Sequence, residues 1–597
     1  MKLSQIIIFI IVAASLSFVG VLAVDKKNQR RSDEQIINNL LLNMTQLEKI
    51  GQMVLVDKNA IEPEGVTRKL IGGVMSGGGG NPEKNTPGDW HQMVAAYKNA
   101  ALKWRLAIPI LYGVDAVHGN GNVYGAVIFP HNIGLGATRN ASLIEDIGKA
   151  TAEEVKATGA NWNFAPVLSI PMDFRWGRVY ECFSTNQDVV AELGTGYING
   201  LRSQGVLATA KHFIGEGTES WGTSNDYKLD QGEITMSIED LRGTQLKPFQ
   251  AAIMAGSMSI MISRSSFNGK KISADKYLLT DLLKNELGFK GFLVSDWGAI
   301  DQIRGDYYQD IVTSINAGMD MVMLPTDYDL FIDKISVAID KGDIRQERID
   351  DAVTRILRAK ISIGLFDDAV DSSELVNNIG SIKHREVARQ AVRESLVLLK
   401  NEKEALPIRN QKRILIVGRA ANDIGMQAGG WTIEWQGGHG DTTPGTSILE
   451  AFKNEFKDSE VIYDPMATGK ESIKAEVGVV VVGEQPYAEG VGDRERLLLS
   501  PEDLKRIQTA KKNSDKVVLV VLAGRPLIIR EVLNDVDAAV MAWLPGTEGA
   551  GITDVLSGKY NFSGKLPLSW PKTMEQVEKK DTRDPLFEFG FGLSYHN

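Results

Sequence analysis

The sequence predicts an α/β protein of two domains, an N-terminal (β/α)8-type, TIM-like barrel followed by an α/β sandwich domain. Three observations carry that prediction. The length of 597 residues exceeds what one compact core fills. Up to about residue 365, short apolar runs alternate with helical stretches, the pattern of a parallel sheet with crossover helices. A second alternating block then follows, richer in continuous β-branched runs, as a doubly wound sheet buried on both faces requires.

In the first block the predicted strands are Pro109–Asp115, Asn161–Pro166, Val206–Phe213, Ser257–Ser263, Gly291–Asp296 and Met319–Pro325. Amphipathic segments such as Ser142–Thr158 and Ser237–Ala255 lie between them, and six or more such units over roughly 300 residues favour closure into a barrel. Asp367–Ile379 is polar, and Arg385–Leu399 reads as an amphipathic helix. The second block runs through Arg413–Gly418, Val477–Gly483, Lys516–Gly524 and Asp537–Gly546. The expected division is an export segment at 1–24, the barrel at 32–365, a linker with a helix at 366–400 and the sandwich at 401–597.

Composition excludes several classes of function. A formal net charge of -10 argues against a nucleic-acid partner, which needs a basic surface to displace counterions. The one cysteine, Cys182, rules out an intrachain disulfide and CxxC-type zinc sites. Seven histidines occur without an HExxH pair, so neither a catalytic metal nor a cofactor is expected.

Met1-Lys2 precedes an apolar run from Ile6 to Val24, and Val21-Leu22-Ala23 offers a small residue for cleavage. This reads as a secretory signal peptide, placing the protein in the periplasm or outside the cell. The run is also long enough to span a bilayer at ~1.5 Å per residue, and Lys26, Lys27, Arg30 and Arg31 follow it. An uncleaved anchor tethering the protein to a membrane is the alternative.

Polar clusters recur where the predicted strands end, which is where these folds carry reacting groups. Asp296 closes Gly291-Phe-Leu-Val-Ser-Asp-Trp297, and the flat Trp297 ring beside it suits the apolar face of a pyranose. Alone, such an Asp is more simply a helix cap. Glu484 opens the Gly- and Pro-rich loop Gly483-Glu-Gln-Pro-Tyr-Ala-Glu-Gly-Val-Gly-Asp493, which by itself could be plain surface. Lys211-His212, Asp115 and the run Asp173-Phe-Arg-Trp-Gly-Arg-Val-Tyr-Glu181 complete the set. Each is weak singly; five in order are not.

Together these runs resemble glycoside hydrolase family 3, in its two-domain branch of β-glucosidases and β-glucan exohydrolases. The likeness extends over Phe129-Pro-His-Asn-Ile-Gly-Leu-Gly-Ala-Thr138, Lys211-His-Phe213, Ser295-Asp-Trp297, Gly430-Trp-Thr-Ile-Glu-Trp-Gln-Gly437, Gly564-Lys-Leu-Pro-Leu-Ser-Trp-Pro571 and Phe589-Gly-Phe-Gly-Leu-Ser-Tyr595. The resemblance implies hydrolysis of terminal non-reducing β-D-glucosyl residues from a β-glucoside or β-glucan oligosaccharide. It assigns Asp296 as nucleophile and Glu484 as acid/base, with Glu489 the second candidate. Asp115, Arg178, Lys211 and His212 match the residues that hold the terminal glucose, and Trp297 and Trp435 match the clamp around the next sugar. The family's optional fibronectin-like domain is not expected, since the chain stops at Asn597. The reaction the resemblance implies is double displacement through a glycosyl-enzyme ester, which needs two carboxyl groups ~5 Å apart.

A catalytically weakened sugar-binding protein, and β-xylosidase or β-N-acetylglucosaminidase specificity, are the alternatives. The run Lys211-His-Phe-Ile-Gly-Glu-Gly217 lacks the second histidine of the N-acetylglucosaminidases. Three positions depart from the glucosidase pattern: Glu216 replaces a usual Asp, Cys182 a usual Ser, and Arg264 a usual aromatic near the nucleophile. The loop Thr218–Asp230 is also longer than expected.

Overall fold

The computed structural model describes residues 32–595 other than 304, 368–372, 410 and 469–473. The predicted export segment at 1–24 lies outside the described residues. Among those described, no helix is long and apolar enough to cross a membrane.

Eight strands form one parallel sheet: β1 (Val54–Asp57), β2 (Gly73–Ser76), β3 (Leu111–Val114), β4 (Trp162–Asn163), β5 (Leu207–Phe213), β6 (Ser259–Ile262), β7 (Phe292–Ser295) and β8 (Val322–Leu324). Their order is β7-β6-β5-β4-β3-β2-β1-β8. A parallel bridge between Val294 and Met321, just before β8, brings the two edges together and closes the barrel. Every residue of these strands is buried, as a parallel sheet covered on its outer face demands.

Six of the eight fall inside the stretches expected from sequence. Helix Ala141–Ala157 likewise falls within a residue of its expected limits, begun by Asn140, whose side chain accepts from Leu143 N–H at 3.1 Å. The expected segment Ser237–Ala255 is instead two helices, Ile238–Gln245 and Lys247–Met254. Pro248 explains the break, because it lacks an N–H and sits at the start of the second helix.

The second domain holds a six-stranded sheet: β9 (Val397–Asn401), β10 (Arg413–Val417), β11 (Glu460–Asp464), β12 (Ala475–Gly483), β13 (Ser514–Leu522) and β14 (Ala538–Met541). The order is β9-β14-β13-β12-β10-β11, with β9 antiparallel and the rest parallel. β9 lies in the stretch read from sequence as a linker, and the preceding helix ends at Ser395. That helix is tied to the second domain by Arg389 and Arg393, which share the buried Asp554 at 2.6 and 2.7 Å.

Alternation within β10 and β12 separates two cores. Leu415, Val417, Val480 and Val482 join a core continuous with that of the barrel. Ile414, Ile416, Val479 and Val481 face a core belonging to the second domain alone. One face of the second sheet is thereby fused to the barrel side of the molecule.

Candidate active site

A cavity of about 330 Å³ lies where the C-terminal ends of the barrel strands meet loops of the second domain. Asp115 follows β3 directly, Lys211 and His212 lie in β5, and Asp296 follows β7. Arg178 comes from the loop after β4, and Met75, Met261 and Met323 supply apolar wall from β2, β6 and β8. The second domain adds Trp431 and Trp435 from the segment after β10, and Glu489 from the loop after β12. Trp297 completes the mouth with 38% of its surface exposed, enough to offer a ring face to a ligand.

The polar groups are interlocked. Lys211 Nζ donates to Asp115 Oδ1 at 3.1 Å. Arg178 donates to Glu181 at 2.9 Å and to Glu489 Oε1 at 3.0 Å, joining the two domains through one guanidinium. His212 Nε2 lies 3.8 Å from Asp296 Oδ2, and its Nδ1 lies 2.6 Å from Glu216 Oε2. Glu216 thus lies behind His212, and its other oxygen, Oε1, accepts from Ser263 Oγ at 3.1 Å. Asp296 Oδ1 accepts the Trp297 backbone N–H at 2.6 Å.

Three carboxyls line the cavity, Asp115, Asp296 and Glu489, and their surroundings push the last two in opposite directions. At Asp296, burial works to raise the pKa, but His212, Arg264, Arg178 and the Trp297 N–H outweigh it and hold the group below its ordinary value. At Glu489 burial wins: with Asp230, Asp296 and Glu181 nearby, its pKa is pushed up to about 8 despite Arg178. Burial and the Arg178 charge also drive His212 well below the ordinary histidine range. One carboxyl is thus ionised and another protonated over the neutral range, the division that acid–base catalysis exploits.

Glu484 is not part of this arrangement. Its carboxyl is buried in a separate crevice of about 470 Å³ in the second domain. There Oε1 accepts from Arg494 at 2.9 Å and Arg525 Nε at 3.0 Å, and Oε2 accepts from Tyr487 at 2.9 Å. Burial raises its pKa, yet the two guanidinium groups prevail and hold it below the ordinary value. Its carboxyl faces the second crevice and not the cavity that holds Asp296. Seven of the eight site residues expected from sequence (Asp115, Arg178, Lys211, His212, Asp296, Trp297 and Trp435) line the cavity, whereas Glu484 does not.

Of the three departures, Arg264 lines the cavity and its charge acts on Asp296. Cys182 is fully buried, its Sγ donating to Arg178 O at 3.7 Å, which suits a small core residue. Tyr227, from the long loop, and Trp431 line the cavity too, although no role had been read for either. Trp431 stood within the Gly430–Gly437 run; Tyr227 carried no local signal.

The comparisons agree with this geometry. Residues 45–359 match the Glycosyl hydrolase family 3 N terminal domain, and residues 396–595 its C-terminal domain. A lysosomal beta glucosidase of Dictyostelium discoideum is 30% identical over 94% of this chain and 76% of its own length. A periplasmic beta-glucosidase of Salmonella typhimurium is 30% identical over 94% and 80%. Among solved structures, a mutant exo-1,3/1,4-beta-glucanase from a Pseudoalteromonas species superposes with a TM-score of 0.90 at 38% identity, covering 95% of this chain and 96% of that one. A beta-glucosidase from Listeria innocua, in complex with glucose, gives a TM-score of 0.81 at 26% identity over 94% and 83%. The barrel, the sandwich, the interdomain cavity and these matches together make the chain a glycoside hydrolase belonging to family 3.

Proposed function

We propose that this enzyme is an exo-acting β-glucosidase that releases terminal non-reducing β-D-glucosyl residues from β-glucosides or β-glucan oligosaccharides with retention. The observation that carries the reading is a single cavity into which the barrel presents Asp296 and the second domain presents Glu489, with surroundings that lower the pKa of the first and raise that of the second. Asp296 attacks the anomeric carbon, and Glu489 rather than Glu484 protonates the departing oxygen. Glu489, now ionised, takes a proton from water as that water cleaves the glycosyl ester. Asp115, Lys211, Arg178 and His212 bind the hydroxyls of the terminal sugar, and Trp297 and Trp435 flank the next ring. In this division of labour the barrel, residues 32–365, holds the sugar and the nucleophile, and the sandwich, 401–597, contributes the acid/base. The Listeria innocua relative, solved with glucose and as a mutant with laminaribiose, supports this ligand class.

We also infer that the protein is exported, with residues 1–24 as its leader; the periplasmic relative supports this.

The test is kinetic. Asp296→Ala should lower kcat/KM on every β-glucoside by on the order of 10^5-fold. Glu489→Gln should cost roughly 10^2–10^4-fold on a disaccharide and far less on a dinitrophenyl β-glucoside, whose leaving group needs no proton. Equal losses on both substrates in Glu489→Gln would remove Glu489 from the acid/base role.

A further inference from the structure

Glu489 has φ +53°, a left-handed conformation that a non-glycine residue keeps only where its flanks impose it. Both flanks are fixed. Before it, Ala488 N–H donates to Gln436 Oε1 at 2.9 Å, and the barrel's Tyr180 hydroxyl donates to Tyr487 O at 2.7 Å. After it, Asp493 reaches across to the barrel with both carboxyl oxygens. Oδ1 accepts Gly177 N–H at 2.8 Å, and Oδ2 accepts the N–H groups of Lys228, Leu229 and Asp230 at 3.1, 2.6 and 3.0 Å. Four convergent backbone donors form an anion nest that a carboxylate fills.

Arg525 closes the same junction. Its guanidinium donates to Arg175 O and Trp176 O in the barrel at 3.0 and 3.1 Å, and to Gly492 O at 2.7 Å. Glu484 Oε1 accepts from Arg525 Nε at 3.0 Å and so holds the guanidinium in place. The surfaces so joined leave no slack. A Cβ on Gly177 would lie 1.9 Å from Glu489 O, and one on Gly490 would lie 2.1 Å from the Tyr227 ring.

We propose that Asp493 is a positioning residue for Glu489. By binding the barrel N–H groups of Gly177 and Lys228–Asp230, it sets how deeply the Glu489 carboxyl enters the cavity, and the Glu484-held Arg525 secures the other side of the loop. The proposal rests on Glu489 being the acid/base. Its mechanistic content is that depth keeps the proton: beside Asp230, Asp296 and Glu181, Glu489 stays protonated into the neutral range, whereas a loosened loop admits water and releases the proton at lower pH.

The experiment compares Asp493→Asn and Glu484→Gln with wild type in the full chain. It measures kcat/KM against pH on a β-linked disaccharide and on dinitrophenyl β-glucoside. An Asn amide offers one acceptor oxygen where Asp493 offers two, so either Gly177 N–H or the Lys228–Asp230 donors would face an NH2 group, and the negative charge in the nest is lost. Asp493→Asn should therefore lower disaccharide kcat/KM at pH 7 about 100-fold and the dinitrophenyl value less than about threefold, the contrast that lost acid catalysis produces. The alkaline limb of the disaccharide profile should move down by about one pH unit or more. Glu484→Gln should shift both readouts in the same direction by less, and it decides the question if Asp493→Asn does not fold. Equal losses on the two substrates with the alkaline limb unmoved would overturn the proposal and leave Asp493 a structural link only. If Glu489→Gln itself shows no leaving-group contrast, the acid/base reading fails instead, which separates the two ideas.

Discussion

The two walls of the cavity are built in opposite ways. On the barrel side, functional groups leave directly from strand ends: Asp115 follows β3, His212 lies within β5, and Asp296 follows β7. Parallel pairing of β3 and β7 ends one residue before Asp115 and Asp296, so local sequence determines where these side chains leave the sheet, and the pairing of β5 shifts register across Lys211-His212. On the second-domain side, β12 ends at Gly483, yet the group that enters the cavity is Glu489, further out along the loop. Its loop is tied through Asp493 to residues hundreds of positions away, Gly177 and Lys228–Asp230. A strand end is a local property, whereas a loop's reach is a property of the whole fold.

The largest way to break this contrast is to disrupt the barrel wall itself. Lys211→Met leaves Asp115 buried without its cation, in the same cavity as Asp296. Removing one partner of a buried pair costs about 3–5 kcal/mol, so chemical denaturation should show a loss of that size. Sugar binding should suffer as well, with kcat/KM down on the order of 100-fold. A loss of stability below about 1 kcal/mol would show that the pair behaves like an exposed one.

A smaller effect tests the junction through pH. Burial pushes the pKa of Glu216 and Asp230 up to about 7, and of Glu219 and Glu489 up to about 8. The folded state therefore retains protons that the unfolded chain has lost above its ordinary carboxylate values. With the native state binding more protons, unfolding free energy falls as pH rises. The stabilisation tied to these groups is complete below the ordinary values and is lost through pH 7–8. Above the ordinary histidine value the buried His118, His131 and His212 no longer oppose this trend, so denaturation midpoints should fall from pH 6.5 to 8.5; a flat or rising trend there would contradict the buried protonated cluster.

The smallest expected change sharpens the barrel side alone. Arg264→Tyr removes a positive charge that lowers the Asp296 pKa, so the acidic limb of kcat/KM should move to higher pH. A more basic carboxylate is a better nucleophile, and turnover of an aryl β-glucoside should rise about threefold. An unmoved limb with unchanged or lower turnover would show that Arg264 does not tune the nucleophile.

Much of the barrel site was legible because its parts sit at strand ends within strongly patterned stretches. The first two strands were not read because the helices beside them, Gln46–Gln52 and Pro63–Lys69, span only seven residues, too short for a helical period to mark the alternation. β9 was hidden behind the helix Ile382–Ser395, whose apolar pattern continues into the strand without a break. The choice between Glu484 and Glu489 was beyond the local pattern, since both lie in one Gly- and Pro-rich loop. What separates them is Arg525, 41 residues downstream, which captures the first carboxylate and leaves the second to Arg178.

The missing space beside Gly177 has a consequence for inheritance and engineering. Residues 173–178 of the barrel and 489–494 of the sandwich are moulded against one another, with no room for even a methyl group at Gly177. They form one functional cassette encoded in two distant pieces. A chimera joining this barrel to a relative's sandwich should recover activity only when both pieces come from the same parent. The true module boundary for recombination thus follows the cavity rather than the order of the chain.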